Sequence, residues 1–301
     1  MKNEINYRVS FGDAIAHYCD VKIELNCNPS EPVFFSMPVW TPGSYLVRDY
    51  AGKVHNVSAS SKGVSKRAEK VSKNTWRVEP GNSDSITFSY RVYCNELTVR
   101  TSDVNETHAF LNSSGVFMFA RGLQHLPCKL SVELPKNWHK ISTGLESAGT
   151  NKFSAANYDE FIDCPVEIGN QTILEFSIKN IPHRICLAGV GNYDPGQLIS
   201  DFRKIAETQI RFFGNNIPYK HYTYIVHLVE KGGGGLEHLN SFVVQFPRLN
   251  FTDAKAYRKF LGLVSHEYFH LWNVKRIRPV ALGPFDYDKE NYKESHRISE
   301  G

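Results

Sequence analysis

The chain has no apolar segment long enough to span a bilayer, no C-x-x-C pair, no internal repeat and no low-complexity tract. A spanning helix needs about 20 consecutive apolar residues, so no membrane partner is expected. The N-terminus, Met1-Lys2-Asn3-Glu4-Ile5-Asn6, is polar and carries an acidic residue. No export signal is visible there, and a cytoplasmic location is expected. The six cysteines, Cys19, Cys27, Cys94, Cys128, Cys164 and Cys186, are widely spread and outline neither a zinc ribbon nor a redox motif; buried reduced thiols are the simpler account. Without a secretory signal, the glycosylation patterns at Asn56, Asn105 and Asn170 carry no meaning. Clustered basic residues are also missing. The net charge is +4 and the Lys and Arg residues are scattered, which argues against a nucleic-acid surface. One basic knot, Lys275-Arg276-Ile277-Arg278, reads as a solvated or salt-bridged helix end favoured by the helix dipole.

What is present is an ordinary globular composition, 41% hydrophobic and 22% charged, over 301 residues, enough for about two domains each with its own core. From residue 5 to about 190, short apolar or alternating runs are separated by Gly, Pro, Asn and Ser: Val21 to Leu25, Val33 to Met37, Ser85 to Tyr93, Phe117 to Phe119, Leu130 to Leu134 and Ile173 to Ile178. This spacing predicts an antiparallel β domain, a sandwich or open curved sheet, over residues 1–190. Within it, Trp40-Thr41-Pro42-Gly43-Ser44-Tyr45 reads as a tight turn with an architectural role. From about 191 to 301 the texture changes. A helix opens at Pro195 with apolar residues at Leu198, Ile199, Phe202, Ile205, Ile210 and Phe213 and stops at Gly214 and Asn215; strands follow over Tyr222 to Val229 and Ser241 to Gln245 around a glycine loop; a last helix starts near Thr252 or Asp253 and is expected to stop before Pro279. The fold class is therefore α+β.

That last helix carries His266-Glu267-Tyr268-Phe269-His270, which reads H-E-x-x-H. Side chains four apart on a helix stack one above the other, about 5–6 Å between Cβ atoms, so His266 and His270 are placed to share one zinc ion. Glu267 falls beside them, positioned to act as general base on a water that zinc acidifies to a pKa of about 7. The chemistry implied is hydrolysis. The loop Gly232-Gly233-Gly234-Gly235-Leu236-Glu237-His238 lacks the Gly-Lys-Ser/Thr ending of a phosphate-binding loop. Its glycines permit close backbone approach, and Glu237 offers a carboxylate to a cationic amine; His238 reads as a hydrogen-bonded structural histidine. A catalytic zinc site usually takes a third protein ligand. Downstream acidic candidates are Asp286, Asp288, Glu290, Glu294 and Glu300, and spacing does not choose among them.

Three separated stretches resemble the glycyl aminopeptidase family of zinc metallopeptidases: Pro38 to Tyr45 with Arg48-Asp49-Tyr50, Gly234 to His238, and His266 to Pro279 continued by Pro284 and Asp286-Tyr287. The resemblance implies an N-terminal β domain followed by a thermolysin-like catalytic domain, with a PDZ domain near the C-terminus of typical members. It also implies that the third zinc ligand is the glutamate of a Glu-Gly pair, which here matches Glu300-Gly301; His296-Arg297 stands where the family usually has Leu-Trp. The expected function is removal of small N-terminal residues, Gly or Ala, from peptides. Zinc would be held by His266, His270 and Glu300, Glu237 would bind the α-ammonium, and backbone at Gly234 and Gly235 would pair with the peptide. Alternatives are a thermolysin-like endopeptidase, a β-rich binding module with a vestigial zinc site, or an inactive truncated fragment. Because the family pattern continues beyond Gly301, residues 191–301 are expected to form an incomplete catalytic domain, and negligible activity is expected of residues 1–301 alone.

Overall fold

Alternation of apolar and polar residues builds the first half of the molecule. In the strands Ile5–Asp13, Tyr18–Asn26 and Ser85–Tyr93 every second residue is buried, so one face of each lies on the core and the other toward solvent. These strands are central to an eight-stranded sheet in a computed structural model that describes residues 3–28, 30–44, 46–277 and 285–289. The order is Glu146–Gly149, Lys152–Ala155, Cys128–Val132, Ile5–Asp13, Tyr18–Asn26, Ser85–Tyr93, Val54–Ser61 and Val64–Lys66. All neighbours are antiparallel except Ile5–Asp13 and Cys128–Val132, which run parallel with Ile5 opposite Cys128. Two four-stranded sheets complete this part: Lys140–Thr143, Val166–Gly169, Ala109–Leu111, Asp103–Val104, and Phe119–Ala120, Val33–Ser36, Thr75–Val78, Ala68–Ser72. Their shared core includes Phe35, Phe88, Tyr90, Phe117 and the short helix α1 (Tyr158–Ile162).

The second part is a five-stranded sheet in the order Thr172–Ile178, Ile181–Ala188, Tyr222–Val229, Ser241–Pro247 and Gly235–Glu237. Helix α2 (Pro195–Phe212) makes the crossover between the parallel strands Ile181–Ala188 and Tyr222–Val229, with Pro195 at its start and Asp194 capping the Gln197 N–H. Helix α3 (Ala254–Phe269) packs beside α2, and Phe202, Phe260, Val264 and Tyr268 meet Tyr224 and Phe242 from the sheet. Cys186, Ile225, Leu236 and Val243 pack against Val99 and Phe110 of the first part. The central strand Tyr222–Val229 accordingly has seven consecutive buried residues, the continuous apolar run of a strand covered on both sides. All six cysteines are free.

Two features differ from the sequence expectation. Ile173 to Ile178, read with the first domain, forms a hairpin with Ile181–Ala188 that hydrogen-bonds into the five-stranded sheet. Sheet membership thus changes at about residue 170, and the texture change near 190 marks only the first helix after the hairpin; a strand's alternation carries no label saying which sheet it joins. The second concerns α3, which ends at Phe269 with His270 as its C-cap, and turns replace the helix through Ile277. Pro279 lies outside the described residues.

Candidate metal and peptide site

Asp253 caps α3 by accepting from the Lys255 and Ala256 N–H groups, and the helix carries His266 and Glu267 in its last turn. His270 follows at the cap position. The His266 and His270 rings meet edge to face at 84°, with their Nε2 atoms 3.0 Å apart. Two nitrogens about 2.0–2.1 Å from a tetrahedral zinc would lie about 3.3 Å apart, so this pair fits the ion with little movement. His270 Nδ1 lies 2.8 Å from the Asn273 carbonyl oxygen. Donation of Nδ1–H to that carbonyl fixes the tautomer that turns the Nε2 lone pair toward His266, the usual outer support of a metal-ligating histidine. The early end of α3 has a purpose in this geometry, because only a turn after His270 brings the Asn273 carbonyl back to its ring.

Glu267 is buried and faces the strand Gly235–Glu237. A Cβ placed on Gly235 would stand 2.1 Å from Glu267 Oε1, so the carboxylate lies directly against glycine backbone. That strand pairs on one side with Ser241–Pro247, Gly235 opposite Val244 and Glu237 opposite Phe242, and it forms the outer edge of the sheet order. Gly234 is exposed, takes φ of +104°, and its carbonyl accepts from the Gln245 N–H. Glu237 is 4% exposed, and a ligand atom from each of Glu237, Glu267 and His270 lies within 4.8 Å of the others. The Glu237 carboxylate makes no hydrogen bond or ion pair among the described residues. It also touches the first domain: a Cβ on Gly43, at φ +87°, would stand 2.7 Å from Glu237 Oε1. The turn over Trp40 to Ser44, read as architectural, thus also forms a wall beside Glu237.

The remaining candidates divide. Glu300, Glu290 and Glu294, like His296, lie outside the described residues. Asp286 and Asp288 are docked on the first domain. The Asp286 carbonyl accepts from Trp40 Nε1 at 2.9 Å, and the Asp288 carboxylate takes Asn74 Nδ2 and the Arg121 guanidinium. Of the two readings of the basic knot, the salt-bridged one holds for Lys275, although the described part of the knot lies in the turns after α3 rather than at its end. Lys275 is buried with its Nζ 2.9 Å from Asp163 Oδ1, and Arg276 donates to the carbonyls of Pro218, Leu239 and Leu271 and to Asn240 Oδ1. His238 Nδ1 lies 3.1 Å from the same Asp163 oxygen. Burial works to raise the Asp163 pKa, but the Lys275 ammonium and His238 outweigh it and hold the carboxyl below the usual carboxylate value. Nothing in the sequence near Asp163 marks it, because its partners are 75 and 112 residues away. Gly43 carried a signal, a Pro-Gly turn, but not its destination.

Residues 6–170 match the family described as the Peptidase M61 N-terminal domain, and residues 259–301 match the M61 glycyl aminopeptidase family. No curated protein matches the chain. Among solved structures, an aminopeptidase N family protein from Idiomarina loihiensis is 34% identical with a TM-score of 0.93, the match covering 99% of this chain and 52% of that one. An M1 zinc metallopeptidase from Deinococcus radiodurans, crystallised as a point mutant, gives a TM-score of 0.52 at 12% identity over 91% of this chain and 64% of its own. The same mutant bound to a Tyr-Ser-Ala substrate gives 0.51 at 13%, over the same shares of both chains, and at such identities the likeness is one of fold. The chain spans about half the length of the Idiomarina protein. With the first of these family matches covering more than half of its residues, the chain belongs to the M61 peptidase family.

Proposed function

We propose that this chain supplies the front part of a zinc-dependent aminopeptidase that removes small N-terminal residues, glycine or alanine, from peptides. The observation that carries the reading is Glu237. A buried carboxylate without a partner among the described residues is costly unless a cation joins it, and it sits beside Glu267 and His270 at the end of an edge strand. The free α-ammonium of a peptide is such a cation, and a site that needs it cleaves from the end. The peptide backbone pairs with the open edge at Gly234 and Gly235 as an added strand.

His266 and His270 hold the metal, with Glu300 as third ligand. Zinc, when bound, polarises the scissile carbonyl and makes water a better nucleophile at neutral pH. Glu267 takes the proton of the attacking water and passes it to the leaving amine, held for this by contact with Gly235. Among the described residues, no helix is long and apolar enough to cross a membrane. Peptides in the cytoplasm, rather than nucleic acids or lipid, are the partners this reading assigns.

The test compares glycyl and alanyl anilides with their N-acetylated forms, using the protein over its whole reading frame and residues 1–301 alone. Cleavage of only the free-amine substrates supports the assignment. Equal cleavage of both forms points instead to an endopeptidase, and zinc binding without turnover by either length points to a vestigial site.

A further inference from the structure

We infer that Asp163, contributed by the N-terminal β domain, is a positioning residue for the amine-binding end of the site; this rests on the reading of Glu237 above. Asp163 closes α1, and its side chain points away from any use to that helix, since a carboxylate at a helix C-terminus opposes the dipole. Its oxygen instead meets two groups from the second domain. One is His238 Nδ1 at 3.1 Å, on the residue directly after Glu237; the other is Lys275 Nζ at 2.9 Å, in the turn whose Lys275 N–H bonds the His270 carbonyl. All three side chains are nearly excluded from solvent, at 11%, 2% and 8% exposure.

The geometry makes Asp163 a shared anchor. His238 directly follows the end of the strand Gly235–Glu237, so gripping its ring fixes the backbone at that end and with it the angle at which Glu237 is presented. The His238 N–H is bonded to the Ser241 carbonyl, and Arg276 ties the intervening Leu239 carbonyl and Asn240 side chain to the turn after His270. Movement of the Glu237 end is therefore restrained from one carboxylate across the domain junction. Among the described residues, the buried His238 Nε2 has no hydrogen-bond partner, so the contribution of this imidazole there is its Nδ1–H.

The inference is tested by Asp163→Asn, His238→Leu and His238→Asn in the protein over its whole reading frame, with zinc content and thermal melting measured beside steady-state kinetics on a glycyl anilide. An asparagine side-chain N–H can replace His Nδ1–H, so His238→Asn should keep a KM near that of the parent. His238→Leu and Asp163→Asn should raise KM about tenfold, the scale of a disturbed buried charge contact, with kcat changed far less and zinc content unchanged. A melting temperature that falls while KM holds in both of these variants would reduce Asp163 to a structural tie and overturn the inference. Equal loss in His238→Asn and His238→Leu would overturn it too. If Asp163→Asn does not fold, the two His238 variants decide alone. Failure of the aminopeptidase reading shows separately, as a parent protein indifferent to N-acetylation.

Discussion

At the scale of single residues, contact with glycine is what sets the two carboxylates. Glu267 rests on Gly235 and Glu237 on Gly43, each closer than a Cβ would allow. Gly235→Ala should therefore push Glu267 aside without disturbing the sheet register. We expect kcat/KM to fall by on the order of 10²-fold, the consequence of roughly 1 Å of misplacement, with zinc content unchanged by metal analysis. Glu267→Gln keeps the shape and removes the proposed base; it should lower kcat by about 10²–10⁴-fold with zinc content unchanged, and turnover near that of the parent would remove Glu267 from the role. The histidine pair and Glu267 were legible in the sequence because helical spacing alone joins residues four apart. Glu237 was legible as a charge beside a glycine run. Gly43 and Asp163 were not, since both act across a contact between segments far apart in the chain, and composition records no such distance.

At the scale of elements, α3 carries His266 and Glu267, and its start is held by one side chain. Asp253 accepts two backbone N–H groups, so Asp253→Ala should destabilise the fold by about 1 kcal/mol, read as a lower denaturant midpoint with an unchanged slope. Capping chemistry is local, which is why the starts of α2 and α3 agree with the sequence reading while the end of α3 does not. No Gly or Pro stands between Phe269 and Pro279 to announce so early a stop. The helix ends there as the chain turns to supply the Asn273 carbonyl to His270, with Arg276 bonded to the Leu271 carbonyl of its own turn and to the Pro218 and Leu239 carbonyls of two other segments. Likewise the strands over 172–188 have the right pattern for either sheet. Their partner is settled by the parallel match of Ile181–Ala188 with Tyr222–Val229, a long-range choice.

At the scale of the whole molecule, the two parts share buried charge as well as apolar surface. Glu167, fully buried in the strand Val166–Gly169, meets His108 Nδ1 at 2.8 Å and His227 Nε2, from the five-stranded sheet, at 2.9 Å; Asp103 lies 3.6 Å from the far side of His108. Burial works to raise the Glu167 pKa, and the two histidines reverse it to below its usual 4.5. For His108, burial works to lower the pKa, and the hydrogen bond and charge of Glu167, with Asp103, carry it above its usual 6.5. The signs set a window. The Glu167 contribution is full above 4.5 and is lost as pH falls through its lowered folded-state value; the His108 contribution is full below 6.5 and is lost as pH rises through its raised one. Melting temperature should therefore show a weakly acidic maximum from this network, and Glu167→Gln should flatten the profile while lowering it throughout. A profile of unchanged shape in that variant would mean the network does not govern the pH response.

The parallel pairing of Ile5–Asp13 with Cys128–Val132 bears on how the chain emerges from the ribosome. Ile5 can pair with Leu25 almost at once, but its other edge waits for Cys128, more than a hundred residues later. At about 5–20 residues per second that is on the order of ten seconds during which an apolar edge strand stands open beside the exit tunnel. Slowed elongation over the first 130 residues should lengthen this exposure and lower soluble yield, whereas a chaperone that shields strand edges should recover it.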